Sequence, residues 1–562
     1  MAVELGASRL LAPYFSSSQI VWTIIIGTIM IAMALGNIYG GRSADKNPSP
    51  DILYRRLLIS SAWIAAIPVV GKYIIMLISG ALIFTINTNF LIIAAFIACM
   101  VIFVFPLFLL GTVTPSLAKY TVGSLEDSGK VVGQLGAANT IGSIIGTFMP
   151  TFVTIPAVGT AITFLIFSGI IMVLGVIYFI SKRTHIKLCV ISIIIYVLCA
   201  IAGNSGSFAF WQTNLTYEGE SIYNYLQVSE DAKAVRLSTN VLFGVQSITM
   251  KDDSMTGMYY DYAMAAPIIA YGYEDGEGGE ALNNSVSGTN AENAIIMTES
   301  TEIPVGGAEN GIETKLPEKG QKVLILGMGT GTYARQCDRY FEDMDIEGVE
   351  IDGKITDLSY IYFDASPDIP VSTYDGRAYL QTIDKKYDVI MVDAYQDISI
   401  PFQMSSTEFF SEVYDHLNDN GVMVVNMNMR SDNEGNINEY LSDTIAAVFP
   451  SVAIVDVKGY TNRELFAVKK GNVLARFDAG IDYIRKTGEV NDTSDGALMS
   501  FMGAVKTEMQ EYEGGKHIFT DDRAPVELLG MREIDEMIQD EVGYYKSVYE
   551  KEGLEGVLTL LG

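Results

Sequence analysis

The sequence predicts an α-helical transmembrane bundle followed by a small antiparallel β subdomain and a Rossmann-like α/β domain. Charge separates the two parts. Residues 1–206 contain long apolar runs and carry 11 Lys/Arg against 5 Asp/Glu, whereas residues 207–562 carry 26 against 61. In the second part a glycine-rich turn follows the first of several continuous apolar runs, a pattern typical of buried parallel strands. We therefore expect the two parts to occupy different solvents.

The N-terminal part, residues 1–206, contains about six candidate membrane spans. Most of its apolar runs reach the ~20 residues that a helix needs to cross a bilayer. They lie at 18–40, 59–82, 88–111, 134–158, 160–180 and 187–203. Residues 1–13 resemble the tail of a helix, and we expect that first helix to be truncated. The prediction is a multi-pass protein of the cell membrane, with the lipid bilayer as a partner.

The basic residues of this part lie in alternate loops, and this pattern indicates on which side of the membrane the C-terminal part lies. The loops near 84–88 and 157–160 have none; the others contain Arg42, Lys46, Arg55 and Arg56, then Lys119 and Lys130, then Lys182, Arg183 and Lys187. The positive-inside rule assigns the basic loops to the cytoplasm, so six spans would leave the acidic part outside. If the co-substrate is cytosolic, however, the acidic part must lie on the cytoplasmic side of the membrane. Because the short run 187–203 could be re-entrant, the sequence leaves the side open.

Composition excludes several classes of partner. The acidic C-terminal part lacks the clustered Lys/Arg that phosphate binding needs, which argues against a nucleic-acid partner. The four cysteines are scattered, with no CxxC and no histidine at ligand spacing. We therefore expect neither a disulfide framework nor a metal site.

Three segments are predicted after the bundle. Residues 207–270 contain short alternating runs, at 222–228, 235–237 and 244–249, and form a small β subdomain that could pair between two subunits of a homodimer. Residues 271–320 lack any period and are predicted to be a flexible insertion. Residues 321–562 form the Rossmann-like domain; its predicted strands are Val323–Leu326, Ile346–Ile351, Pro370–Thr373, Val389–Val392, Val422–Asn426, Val452–Val455 and Leu465–Val468.

Glycines after the first of these strands predict a nucleotide-binding turn. Gly327, Gly329 and Gly331 follow Leu326 directly, and glycines let a ligand approach the backbone closely. No lysine follows them as a P-loop would require. Glu350 lies about 20 residues further on, where a carboxylate can accept from both ribose hydroxyls. The pattern favours nucleotide or nucleoside binding.

Two more carboxylates close the next strands. Asp375 precedes Gly376 after the third strand, and Asp393 ends the fourth. In such sheets ligands bind beyond the carboxyl ends of the strands, so Asp375 can accept from an adenine amino group and Asp393 faces the reaction centre. Acidic residues at successive strand ends favour a functional site over a solvated surface.

Seven segments carry a family resemblance that spans nearly the whole chain. Two lie in the bundle and five in the C-terminal part: Glu4–Val21, Gly40–Asp45, Tyr223–Val228, Met255–Pro267, Asp393–Tyr395, Ile400–Phe410 and Thr520–Glu527. Together they resemble the polyamine aminopropyltransferases, especially the membrane-fused branch often called spermidine synthase. The resemblance implies a class I S-adenosylmethionine-type fold. It also implies aminopropyl transfer from decarboxylated S-adenosylmethionine, a co-substrate rather than a tightly bound cofactor, to an amine such as putrescine.

Residue roles follow from the resemblance by position. The nucleoside side would comprise Gly327, Gly329, Gly331, Glu350, Asp375, Gly376 and Gln246. The amine side would comprise Gln227, Tyr259, Tyr260, Thr330 and Gln396, with Asp393 as the catalytic base. Three of these depart from the family pattern. Thr330 and Gln396 stand where the family has aspartates, and Tyr260 stands where it has a histidine.

These departures keep two other hypotheses open. One is a methyltransferase that uses S-adenosylmethionine itself and a different acceptor. The other is a transporter or sensor whose C-terminal part binds a nucleoside or polyamine without turnover, which the outward topology would suit. The nucleoside positions keep the residues that the resemblance implies, so the sequence predicts the donor site more firmly than the acceptor site.

Overall fold

The structure is a computed structural model, and it describes most of the chain. Outside the described residues lie 16–17, 83–85, 87–88, 123–127, 204–206, 210–211, 213, 241–243, 273–319, 394–399, 429–430, 432, 489, 492–495 and 562. The predicted insertion 271–320 therefore lies almost wholly outside them, as does Gln396. The described residues form a helical N-terminal part and a C-terminal part with two sheets.

The N-terminal part is built from long apolar helices. Their bounds are α1 (Ala2–Phe15), α2 (Gln19–Lys46), α3 (Pro50–Leu82), α4 (Phe90–Gly111), α5 (Val113–Thr121), α6 (Ser128–Met149), α7 (Ile155–Lys182) and α8 (Ile186–Gly203). Among the described residues, five helical segments are long and apolar enough to cross a membrane. One of them, 128–182, joins α6 to α7 through a π-turn, Pro150–Thr154. It breaks at Gly159, which has a φ of 79° and lies between two predicted spans.

One end of the bundle collects the basic residues. Lys119 of α5 pairs with Asp45 of α2 at 2.9 Å, and Arg56 of α3 donates to the Ser43 hydroxyl at 2.7 Å. The end of α2, the start of α3 and the end of α5 therefore meet there, and a contact between Lys182 and Asp51 adds the end of α7.

The opposite end of the bundle carries the C-terminal part. The Lys72 ammonium of α3 donates to the Ser207 carbonyl at 2.6 Å. At the start of α4 the Phe90 amide donates to the Asp535 carboxylate at 2.6 Å. The Gln19 amide at the start of α2 donates to Glu527 at 2.7 Å. The C-terminal part thus sits on the bundle end that lies away from the basic loops.

A four-stranded antiparallel sheet follows the bundle. Its strands pair in sequence order and are β1 (Leu215–Glu220), β2 (Tyr225–Glu230), β3 (Ala234–Ser238) and β4 (Ser247–Met250). Two short helices come next, α9 (Tyr259–Ala263) and α10 (Ala265–Tyr271). The antiparallel sheet was predicted, whereas β1 and the two helices were not.

An eight-stranded sheet forms the centre of the C-terminal part. Its strands are β5 (Lys322–Leu326), β6 (Asp345–Glu350), β7 (Val371–Thr373), β8 (Tyr387–Val392), β9 (Leu417–Met427), β10 (Ser451–Asp456), β11 (Arg463–Val468) and β12 (Gln510–Glu511). Their order is β12-β10-β11-β9-β8-β5-β6-β7. The strands from β7 to β9 run parallel, and β10, β11 and β12 pair antiparallel at the other edge. Each predicted strand of this domain is present.

Helices cover the eight-stranded sheet. They are α11 (Thr332–Tyr340), α12 (Gly353–Tyr362), α13 (Gly376–Leu380), α14 (Thr407–Asp415), α15 (Ile437–Ala446), α16 (Val473–Thr487), α17 (Ala497–Glu508) and α18 (Val526–Leu561), with a 3₁₀ turn at Phe402–Met404. Strand β8 is buried along its whole length, as a central strand covered on both faces must be. The strand order reverses between β5 and β8, and ligands of doubly wound sheets bind at such a switch point.

Candidate active site

A cavity of about 180 Å³ opens at the carboxyl ends of the parallel strands. Seven of the predicted site residues line it: Gln246, Gly327, Gly329, Glu350, Asp375, Gly376 and Asp393. Tyr223 and Asn224, from the turn between β1 and β2, form part of its wall and were not assigned a role from the sequence. The small sheet and the large sheet thus both contribute to the cavity.

The glycine turn after β5 has a backbone that other residues rarely adopt. Gly327, Gly329 and Gly331 have φ values of 89°, 55° and 83°. A side chain at Gly329 would also place its Cβ 2.5 Å from the Ser247 hydroxyl. Both constraints select glycine. The turn therefore presents bare backbone to the cavity.

Glu350 is held at the end of β6 by two backbone amides. The Gly329 amide donates to Oε2 and the Asp352 amide to Oε1, each at 2.9 Å. The side chain is 7% exposed. Burial raises its pKa to about 7, against the opposing effect of the two hydrogen bonds, because a carboxylate loses hydration there. Its two oxygens are fixed at the rim where a ribose would lie.

Asp375 combines a structural contact with a place in the cavity wall. It is the N-cap of α13, and its Oδ1 accepts from the Ala378 amide at 2.9 Å. Gly376 follows it under Met404, whose Cε would lie 3.2 Å from an added Cβ. The carboxylate is thereby oriented at the helix start, and both residues border the cavity.

Asp393, directly after β8, is held through both of its carboxylate oxygens. Tyr259 donates its hydroxyl to Oδ2 at 2.8 Å, and Asn426 donates its amide to Oδ1 at 2.9 Å. Burial raises the pKa of Asp393 to about 7; these two hydrogen bonds oppose that shift, and the nearby charge of Glu350 adds to it. Two acidic groups therefore titrate near neutral pH in one cavity.

The predicted amine side is only partly brought together. Tyr259 touches Asp393, and its ring centroid lies 4.0 Å from that of Tyr260. The Tyr260 hydroxyl, however, donates to the Gln246 carbonyl at 2.5 Å. Gln227 does not line the described cavity, since its amide is buried and donates to the Asn240 carbonyl at 3.0 Å.

Thr330 does not line the described cavity. Its amide donates to the Ser247 hydroxyl at 3.1 Å, while its own hydroxyl is buried and has no hydrogen-bond partner among the described residues. It lines a neighbouring cavity of about 190 Å³, between α11 and α12, together with Arg335. The structure thus separates Thr330 from Asp393.

Two residues next to Asp393 were missed from the sequence. Asn426 holds Asp393, as described above. Glu464 lies opposite Asn426 in the register of β9 and β11; it is 0% exposed, and neither of its carboxyl oxygens has a hydrogen-bond partner in the part of the chain that the structure describes. Burial raises its pKa well above the usual range, and the charge of Asp393 adds to the shift. A glutamate within the apolar run of β11 gives no sequence signal that distinguishes it from a solvated residue.

One group of described residues has metal-ligand geometry. Glu439 and Asp443 of α15 and His517 bring their ligand atoms within 4.8 Å of one another. Asp443 already accepts from the Tyr512 hydroxyl at 2.6 Å and from the His517 amide at 2.8 Å. None of the three lines the cavity, so the group is separate from the candidate active site.

The sheet order and the glycine turn define a Rossmann-like, S-adenosylmethionine-type domain. Residues 310–473 match the family model of the spermine/spermidine synthase domain. A probable polyamine aminopropyl transferase of Bifidobacterium longum is 48% identical over 392 residues, which cover 68% of this chain and 77% of that protein. The chain belongs to the polyamine aminopropyltransferase family, a class of transferases, which confirms the resemblance and the fold class predicted from the sequence.

Other similar proteins share a smaller part of the chain. A polyamine aminopropyltransferase of Vibrio vulnificus is 31% identical over 113 residues, 19% of this chain and 38% of that protein. A solved structure of spermidine synthase from Thermotoga maritima is 16% identical, with a TM-score of 0.36, and covers 52% of this chain and 87% of that chain.

Proposed function

We propose that this protein is a membrane-bound aminopropyltransferase that transfers an aminopropyl group from decarboxylated S-adenosylmethionine to an amine such as putrescine. The observation that carries the proposal is Asp393, a carboxylate at the end of β8 in the same cavity as Glu350. Tyr259 and Asn426 hold both of its oxygens, so its position is set before a substrate binds. Family membership supports the type of reaction, and Asp393 supplies the base it needs.

In the proposed reaction the amine nitrogen attacks the aminopropyl carbon that is bonded to the sulfonium. A carbon–nitrogen bond forms as the carbon–sulfur bond breaks. The electron pair of the broken bond goes to sulfur, which leaves as the neutral thioether of methylthioadenosine. The attacking nitrogen gives up one proton, and Asp393 accepts it.

The pKa of Asp393 suits this role. An alkyl ammonium has a pKa near ~10.4, so about one molecule in 10³ is the free base at pH 7, a cost of ~4 to 5 kcal/mol. A carboxylate with a pKa of about 7 takes up a proton more readily than an ordinary aspartate, yet it is unprotonated above neutral pH. Holding the two reactants together in the cavity supplies further acceleration.

The other carboxylates are assigned to the donor. We propose that Glu350 binds the ribose hydroxyls and Asp375 the adenine amino group, with the backbone of Gly327 and Gly329 alongside the nucleoside. Decarboxylated S-adenosylmethionine would act as a co-substrate, with no tightly bound cofactor. The exposed backbone of the glycine turn allows the close approach that this requires.

The direct test is an assay of the full chain with decarboxylated S-adenosylmethionine and putrescine, with methylthioadenosine measured as product. We expect Asp393→Asn to lower the turnover by about 10² to 10⁴. Asp388→Asn is the matched control, since Asp388 lies at the other end of β8 and accepts from the Lys322 amide at 2.9 Å. A wild-type rate no higher than that of Asp393→Asn would refute the proposal.

A second candidate function is favoured by Thr330, which stands where the family has an aspartate and faces the neighbouring cavity. That candidate is a methyltransferase using S-adenosylmethionine and another acceptor. It predicts that S-adenosylmethionine binds at least as tightly as its decarboxylated form. Calorimetry with both nucleosides separates the candidates, because a clear preference for the decarboxylated form excludes the methyltransferase.

We further propose that the protein is a multi-pass protein of the cell membrane, with its active site on the extracytoplasmic side. Nine of the eleven Lys/Arg in residues 1–206 lie toward the bundle end that includes the Lys119–Asp45 pair. The C-terminal part contacts the other end, through Lys72 and Phe90. The positive-inside rule assigns the basic end to the cytoplasm. Both substrates would then have to be present outside the cytoplasm.

Reporter fusions test this orientation. Alkaline phosphatase fused after Gly562 should be active, whereas phosphatase inserted after Asn47, in the basic loop, should be inactive. The reverse pattern would refute the proposed side. An external domain that binds methylthioadenosine but yields no product would favour the nucleoside or polyamine sensor instead.

A further inference from the structure

The turn between β1 and β2 connects the bundle with the candidate active site. This turn, residues 221–224, joins two strands of the small sheet. Tyr223 and Asn224 line the cavity that also contains Glu350. Any element that fixes the turn therefore fixes one wall of that cavity.

Helix α1 of the bundle binds the turn directly. The Arg9 guanidinium donates through Nη1 to the Ser221 carbonyl at 3.2 Å and through Nη2 to the Ile222 carbonyl. Two adjacent carbonyls are thus bound by one planar group, which an arginine can do and a lysine cannot reproduce. These contacts join residues separated by 212 and 213 positions in the sequence.

Helix α7 binds the strand that leads into the turn. The Glu220 carboxylate, at the end of β1, accepts from the Thr160 amide at 2.8 Å and from the Thr160 hydroxyl at 2.7 Å. Thr160 follows Gly159, where the helical segment breaks and leaves backbone amides free to donate. The turn is therefore held by two helices of the bundle.

From the turn, a chain of hydrogen bonds reaches the proposed ribose carboxylate. The Ser221 hydroxyl and the Asn224 amide both donate to Asp352 Oδ2, at 2.5 Å and 3.1 Å. Asp352 is 1% exposed, and its own amide donates to Glu350 Oε1 at 2.9 Å. Two residues, Ser221 and Asp352, thus connect Arg9 of the bundle with Glu350 in the cavity.

We propose that Arg9 is a positioning residue for the nucleoside, so that the bundle forms part of the donor site as well as a membrane anchor. This inference rests on the proposed function of the cavity. Arg9 does not line the cavity and acts through the 221–224 turn and Asp352. Replacing Arg9 should therefore weaken the binding of the donor nucleoside and leave the affinity for the amine nearly unchanged.

The test measures nucleoside binding, which needs no turnover. Calorimetry of the full-length protein with methylthioadenosine would compare wild type, Arg9→Gln and Arg9→Lys. Loss of charge-assisted hydrogen bonds is expected to weaken binding by roughly 10- to 100-fold in Arg9→Gln. Arg9→Lys, which keeps one charged donor, should recover part of the loss.

A matched control removes a guanidinium from the same small sheet. Arg236 of β3 pairs with Asp231 at 2.6 Å and lies outside the described cavity, so Arg236→Gln should bind the nucleoside like wild type. In kinetics, Arg9→Gln should raise the KM for decarboxylated S-adenosylmethionine and leave the KM for the amine within about twofold. A merely structural role would change both.

A double variant tests whether the contacts act in series. If Arg9 acts through Asp352, then Arg9→Gln with Asp352→Asn should bind the nucleoside no more weakly than the worse single variant. If the two losses of affinity multiply in the double variant, the residues act independently and the inference is overturned. Unchanged binding in Arg9→Gln would also overturn it. If Arg9→Gln does not fold, Thr160→Val, which removes one contact to Glu220, must weaken binding severalfold or the inference fails. A wild-type protein that binds no nucleoside would refute the proposed function itself.

Discussion

The residues assigned to the nucleoside and those assigned to the amine are held in different ways. On the nucleoside side, the glycine turn and Glu350 use backbone amides, which a single side-chain substitution does not remove. On the amine side, Tyr260 and Gln227 already donate to carbonyls of the protein itself. The groups assigned to the nucleoside thus depend on backbone geometry, whereas two of the side chains assigned to the amine are already engaged within the protein. Of the predicted site, the nucleoside side is the part that the described residues bring together in one cavity.

The largest expected effect that tests this difference is on the nucleoside side. Glu350→Gln should weaken methylthioadenosine binding by about 100-fold, since the amide cannot accept from both the Gly329 and Asp352 amides and also bind ribose. Calorimetry measures the change. Glu347→Gln, on the same strand, is the control, because Glu347 pairs with Lys385 at 2.7 Å and does not line the cavity. Equal weakening by both variants would contradict the assignment of Glu350.

A smaller effect is expected from pH, through Asp393. Its pKa is raised to about 7, so the carboxyl is protonated and cannot accept the amine proton below neutral pH. The kcat at saturating substrates should therefore fall by up to tenfold for each pH unit below about 7. Tyr259→Phe removes a hydrogen bond that lowers this pKa, so the midpoint should move to higher pH. A profile that stays flat from pH 5 to 8 would exclude Asp393 as the base.

The smallest effect concerns the buried acid behind the amine side, Glu464. Burial raises the pKa of Glu464 in the folded protein well above its value in the unfolded chain. The stabilisation that the protonated side chain gives is therefore complete below the unfolded pKa, and it decreases as the pH rises toward the folded pKa. The loss is up to about 1.4 kcal/mol per pH unit. Glu464→Gln should remove that loss and raise the unfolding temperature by a few degrees at high pH. Asp419→Asn, an exposed acid on β9, should not.

The strands could be predicted because burial on both faces requires continuous apolar runs, as in β5 and β8. Strand β1, with the sequence LTYEGE, was not predicted. It is a polar strand at the edge of its sheet, and only its pairing with β2 in the folded protein identifies it as a strand. The short helices α9 and α10 were not predicted either, although α9 positions Tyr259 next to Asp393. The local sequence pattern therefore predicts the strands of the large sheet better than it predicts the short elements that pack on that sheet.

The site was predictable where residues follow strand ends, as Glu350, Asp375 and Asp393 do. It was not predictable where function depends on distant contacts. Asn426 is one polar residue at the end of an apolar run, and only the fold brings its amide to Asp393. The contact of Arg9 with Ser221 spans 212 positions, and no spacing rule detects it. Gln396 stays a prediction, since it lies outside the described residues.

Gly159 has a consequence for how this chain can vary. Its φ of 79° disfavours any other residue, and an added Cβ would lie 3.3 Å from Glu220 Oε2. The same position thus ends one apolar segment and leaves room for a carboxylate of the small sheet. A replacement at Gly159 should therefore disturb the contact of Thr160 with Glu220 and, through the 221–224 turn, the wall of the candidate active site. One glycine therefore sets both the path of the chain through the bundle and, on the proposal for Arg9, the support of the cavity wall.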